Sequence, residues 1–231
     1  MTIRHAVPDA ETPPAPPPER GSVRRLAPSL LPGLAMLVLG SVAATRPVLS
    51  WDEVATADVA GRSYGQIWQL IPHIDAVFVP YYAFMHAWTS VAGHSVLALR
   101  LPSILAMAAA AAVCGEVGRR RSGPLAGLLA GSLLCVLPNT SRYADEARPY
   151  AIACLLAIVA LLLLDRYLER PGRGRLIAYG AVLTGLGLSH VVALTVLAGH
   201  AVIVWRARRL RAWGDPGRAR SEERRVGKEC P

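Results

Sequence analysis

The sequence predicts an all-α, polytopic integral membrane protein, and three observations carry that reading. First, 53% of the 231 residues are hydrophobic and the mean hydropathy is +0.35, too apolar for an ordinary soluble domain. Second, several long runs carry no charge, approaching the ~20 residues that a helix needs to cross a bilayer. Third, the arginines fall in short clusters between those runs, at residues 119–121, 166–175 and 206–211. The formal net charge of +9 therefore reads as positive-inside topology, and no nucleic-acid partner is expected.

The elements follow in chain order. Residues 1–25 hold Pro8, Pro13, Pro14, Pro16, Pro17 and Pro18 among small and charged residues, a composition that buries no core and reads as a disordered cytoplasmic leader. Arg24 and Arg25 precede an apolar run over 26–45 and place the N-terminus inside. A faint cleavage pattern at Ser41-Val42-Ala43 would fit a signal peptide, but further apolar runs follow, so this run is read as an uncleaved first span. Residues 46–75 form a polar, partly helical external loop containing Asp52, Glu53, Asp58, Arg62, His73 and Asp75.

Residues 76–93 are apolar but carry Pro80, Tyr81, Tyr82, His86 and Trp88. A full crossing here would strand Arg119, Arg120 and Arg121 outside. The segment is therefore read as a helix at the interface, where aromatic rings are favoured. Spans follow over 101–118 and 123–138. A second polar cluster occupies 141–150, and Pro149 suits the first turn of a span running to Leu164 because that position needs no amide donor. After the basic loop 165–175, residues 176–205 contain no Asp, Glu, Lys or Arg. Two short spans turning near Gly185, Gly187, Ser189 and His190 return the arginines at 206–211 to the inside. The expected total is about six spans plus the interfacial helix.

Residues 26–219 thus read as the N-terminal part of a transmembrane domain. The chain has 24 arginines and a single lysine, Lys228. That lysine lies in 220–231, a stretch that reads as translated adaptor sequence, so a longer natural chain is expected. Cys114, Cys135 and Cys154 sit in apolar runs, and with Cys230 they form no disulfide or metal-ligand spacing.

This topology places 46–75, Arg100, 141–150 and His190 at one outer level. Ionisable groups near a lipid boundary are costly unless paired or used. An acidic pair such as Asp52-Glu53 can draw a proton from a hydroxyl, and arginines such as Arg100, Arg142 and Arg148 can hold a phosphate in bidentate fashion. From residues alone, Asp and Glu at a helix start are equally well explained by the helix dipole. A small-molecule transporter or lipid flippase is the alternative class, with ionisable groups lining a pathway.

The order Trp51-Asp52-Glu53, then His73 and Asp75 ahead of Tyr81-Tyr82, then Arg100-Leu101-Pro102-Ser103, then Glu146-Ala147-Arg148-Pro149-Tyr150 resembles the N-terminal half of bacterial C-type membrane glycosyltransferases, of the protein mannosyltransferase and aminoarabinose transferase type. The chain departs from that pattern where many such enzymes carry Pro-Pro after the position of Asp75; here Ala76-Val77-Phe78-Val79-Pro80 follows. The resemblance implies sugar transfer from a polyprenyl-phosphate donor to a lipid, glycan or protein acceptor, on the outer face of the bacterial cytoplasmic membrane. It implies Asp52 as base or metal-associated group with Glu53 beside it, Arg100, Arg142 and Arg148 as candidates for the donor phosphate, and Glu146, Tyr150, His73, Asp75 and His190 in support. No cofactor is specified; a divalent metal is compatible with the acidic pair and is not required.

Overall fold

The computed structural model describes residues 22–46, 48–70 and 76–213. The expected leader through residue 21, His73, Asp75 and residues 214–231 lie outside the described residues. Among the described residues all regular structure is helical: α1 (Ser22–Ala43), α2 (Trp51–Ala60), α3 (Tyr64–Gln69), α4 (Val79–Ala92), α5 (Val96–Ser122), α6 (Pro124–Val136), α7 (Pro138–Asp145), α8 (Tyr150–Glu169), α9 (Arg173–Ser189) and α10 (Val196–Trp213). Short 3-10 turns, Ala76–Phe78 and Val191–Thr195, precede α4 and α10.

Local chemistry sets the boundaries. Ser50, Ser63 and Ser95 each accept an amide of the helix they open, the first two in full capping boxes with Glu53 and Gln66. Pro80, Pro124 and Pro138 stand in first turns, where no donor is needed. Gly93 and Gly123 stop α4 and α5 with φ of 83° and 91°, a backbone region that residues with a Cβ avoid. Pro138 pushes Leu137 to extended backbone, and α6 and α7 consequently meet at 68°.

Among the described residues four helical stretches are long and apolar enough to cross a membrane: Leu26–Ala43, Val96–Ser122, Tyr150–Glu169 and Val191–Arg209. The bent pair α6 and α7 makes five if it counts as one span. The sequence expectation of six also took α9 as a crossing. The turn at His190 lies where expected, but α9 has 17 residues, ~25 Å at 1.5 Å per residue, against ~30 Å of hydrocarbon.

The bundle is built on α5, which packs against α1, α6 and α8. Met36, Ala106, Met107, Ala111, Cys135, Ala144 and Ala151 form its core. Small residues let the backbones approach: a Cβ on Gly127 would lie 2.6 Å from the Gly115 carbonyl, and one on Gly131 would lie 2.6 Å from Pro32. Inside α5, Pro102 brings no N–H, which leaves the Ala98 carbonyl without its usual donor four residues on. The indole Nε1 of Trp88 on α4 donates to that carbonyl at 2.8 Å, so the proline of one helix docks the neighbouring one.

The two ends of the bundle differ in charge. At one end Arg100, near the start of α5, donates to the Ala44 carbonyl at the end of α1. Residues 46–96 therefore leave and rejoin the bundle at the same end, and a lone crossing by α4 would have separated those two points. The 14-residue α4 instead lays Tyr81, Tyr82 and Met85 against Val59, Ala60 and Ile67 of α2 and α3. At the other end Arg119 pairs with Glu116 at 2.7 Å, Arg120 with Glu169 at 2.6 Å and Arg121 with Asp165 at 2.6 Å.

Gly131→Val places methyl groups against Pro32 and the Ala111 carbonyl, and the overpacking is expected to cost ~1–3 kcal/mol. Thermal unfolding in detergent checks this; an unchanged midpoint would contradict the close packing of α1, α5 and α6.

Candidate functional site

The capping box of Ser50 fixes where α2 begins, and successive residues on a helix point ~100° apart. Asp52 and Glu53 therefore diverge. Glu53 turns inward and is 1% exposed, whereas the side chain of Asp52 is 59% exposed.

Inward, Glu53 meets Arg100 from α5 in a two-pronged contact: Nε donates to Oε1 at 2.7 Å and Nη2 to Oε2 at 2.9 Å. The Ser50 amide donates to Oε2 at 3.0 Å and the Ala147 amide, between α7 and α8, to Oε1 at 3.2 Å. Arg100 directs its remaining donors to the carbonyls of Ala44 at 3.3 Å, Arg46 at 2.8 Å and Val48 at 3.0 Å. All five guanidinium N–H groups are thereby engaged. Burial opposes ionisation of Glu53, but the hydrogen bonds from Arg100, Ser50 and Ala147 outweigh it and hold its pKa below the ordinary 4.5. Arg100, expected on a donor phosphate, has no N–H left to offer in this arrangement. Glu53, expected beside the base, is a structural anchor.

Outward, Asp52 Oδ1 lies 3.0 Å from Arg148 Nη2. The Arg148 guanidinium also sits 5.3 Å from the centre of the Phe78 ring, and its Nε is buried without a hydrogen-bond partner. This arginine, unlike Arg100, keeps an unspent donor. The tight turn that carries it is closed by the Arg148 amide donating to the Glu146 carbonyl at 2.9 Å.

Arg142 donates to Glu146 at 2.6 Å across the end of α7. Asp145 lies 3.8 Å from Arg46, and its Oδ1 is buried without a partner. Arg46, Asp145, Glu146 and Arg142 line, over a floor of Glu53 and Arg100, a cavity of about 320 Å³. Asp52 and Arg148 are not among its lining residues. Tyr150 packs its ring 5.3 Å from Tyr143 and 5.5 Å from His190, which brings the turn after α9 to this same end.

The structure thus groups Asp52, Glu53, Arg100, Arg142, Glu146, Arg148, Tyr150 and His190 at one end of the bundle. Arg46 and Asp145 were not singled out by sequence reasoning. Their signal was position: Arg46 follows the first apolar run directly and Asp145 adjoins Glu146. Among the described residues no group of three or more His, Cys, Asp or Glu is arranged to hold a metal ion. Chemically, Asp52 is a carboxylate open to solvent and to a reacting hydroxyl. Of the cations, Arg46 and Arg142 are exposed and line the cavity, whereas Arg148 is buried against Asp52 and Phe78 with one N–H unspent. Comparison with family models, curated proteins and solved structures found no match.

Arg100→Met leaves Glu53 buried without its counter-charge, and the loss is expected at ~3–5 kcal/mol. Thermal melts of the purified protein check it; a wild-type midpoint would refute the clamp. Because the folded pKa of Glu53 is depressed, its stabilisation is complete above the ordinary value of 4.5 and is lost as pH falls below that value. The stability gap between wild type and Glu53→Gln should therefore narrow below pH 4.5. A gap independent of pH there would contradict the assignment.

Proposed function

We propose that this chain is part of a membrane glycosyltransferase, moving a sugar from a polyprenyl-phosphate donor to a lipid, glycan or protein acceptor at the outer face of a bacterial cytoplasmic membrane. The observation that carries the reading is the Asp52–Arg148 pair: an open carboxylate 3.0 Å from an arginine with an unspent N–H, at the end of an apolar bundle where a lipid-borne substrate meets water. Asp52 takes the proton of the acceptor hydroxyl as that oxygen bonds to the anomeric carbon and the bond from this carbon to the phosphate oxygen breaks, with polyprenyl phosphate as the leaving group. Arg148 holds the donor phosphate, with Arg142 as the second cation once Glu146 yields it. The Glu53–Arg100 clamp keeps the two segments in register and touches no substrate.

A transporter or flippase would use ionisable groups within the spans. Here Glu53, Arg100 and Arg148 gather at one end, and Glu116, Arg120, Asp165 and Glu169 at the other, which favours chemistry at a surface over passage through the bundle.

The test is Asp52→Asn in the full-length protein. Loss of a general base predicts a fall in sugar transfer of ~10²–10⁴-fold at unchanged abundance, read with radiolabelled polyprenyl-phosphate sugar. Transfer near the wild-type rate would sink the role of Asp52. Arg148→Gln should abolish the thermal stabilisation that the same donor confers on the wild type.

A further inference from the structure

We infer that the end of the bundle opposite Asp52 carries a second binding site, for the phosphate headgroup of an anionic phospholipid. Arg120 at the end of α5, Arg166, Glu169 and Arg170 at the end of α8, and Arg175 in the first turn of α9 line a cavity of about 460 Å³. Four guanidinium groups thus surround one carboxylate. That carboxylate, Glu169, is already held by Arg120 at 2.6 Å. Among the described residues no carboxylate lies within ion-pair distance of Arg166, Arg170 or Arg175.

Two further observations point to an anion. Arg120 Nε is buried without a hydrogen-bond partner; Asp165 lies 3.8 Å from it and is engaged more closely by Arg121, at 2.6 Å. The N-terminus of α9 has no side-chain cap and no acidic residue in its first turn, so its free amides add to the positive field at the cavity. Arg175 donates to the Arg170 carbonyl, which pins the loop between α8 and α9 around the site.

Positive-inside topology accounts for arginines on one side of a membrane. It does not account for four of them converging on one cavity. The adjoining surface selects a lipid over a free anion. Leu176 and Ile177, directly after Arg175, are exposed. Leu176 also lines, with Tyr179, His200 and Trp205, an apolar cleft of about 530 Å³. Within that cleft Tyr179 Oη and His200 Nδ1 pair at 2.8 Å and Arg208 adds one guanidinium to the lining, while Leu164, Ala201 and Val204 offer an apolar wall for an acyl chain beside the headgroup site.

The experiment reconstitutes the whole chain in vesicles of phosphatidylcholine alone or with phosphatidylglycerol, and counts lipid retained after extraction by native mass spectrometry. Wild type should retain phosphatidylglycerol over phosphatidylcholine. The triple variant Arg166→Gln, Arg170→Gln, Arg175→Gln removes only exposed arginines without a carboxylate partner. It should lose that preference by ~10-fold or more, while Arg206→Gln, on α10, should keep it. Equal retention by wild type and the triple variant, or equal loss in the α10 variant, overturns the site. If inorganic phosphate without lipid raises the melting temperature as much as phosphatidylglycerol does, and only when the three arginines are present, the site takes a soluble anion and the lipid assignment is overturned.

Discussion

The Glu53–Arg100 pair is the constraint on which the rest of this structure depends. A carboxylate and a guanidinium taken out of water are tolerable only when every lone pair and N–H finds a partner. Here those partners are the end of α1, the segment before α2, the first turn of α2 and the turn between α7 and α8. Satisfying one buried pair therefore joins α5 and those four parts of the chain at a single level. Arg148 sits beside Asp52 because the turn that carries it is tied, through the Ala147 amide, to the neighbouring residue Glu53.

This division of labour explains why two adjacent carboxylates behave differently. Glu53 is saturated with donors and buried, so it is ionised and unavailable to a substrate. Asp52, ~100° around the helix, has one ion-pair partner and stands open to solvent. The same logic separates the arginines. Arg100 has spent all its donors, Arg148 keeps a buried N–H unspent, and Arg142 holds Glu146 in a contact at the surface.

The bundle itself is held by close packing of small residues and by proline chemistry. Gly127 and Gly131 let α6 approach α5 and α1, where apolar burial alone does little within lipid. Pro102 releases the Ala98 carbonyl to Trp88, so a break in the hydrogen-bond ladder of α5 becomes the contact that orients α4. Charge is then sorted to the two ends, acid with arginine at one and a surplus of arginine at the other.

Much of this was legible in consecutive residues. Run length and apolarity predict helices throughout, Pro138, Gly93 and Gly123 mark breaks, and residues 46–96, which arginine placement requires to begin and end on one side, leave and rejoin the bundle at one end. These are local quantities, set by propensity and by the lack of a donor or a Cβ. Even the Ser50 to Glu53 spacing is a capping-box signature that pointed Glu53 back toward its own backbone. What the tertiary structure decided is which donor meets which acceptor. Arg100 and Glu53 are 47 positions apart, and nothing local tells Arg100 from Arg148 as the arginine that will be consumed. The 68° bend after α6 and the 17-residue length of α9 likewise arise from tertiary structure; among the described residues four helical stretches, or five with the bent pair, have the length and apolarity to cross a membrane, against six expected. Hydropathy measures how apolar a run is, whereas packing decides how far it travels before it turns.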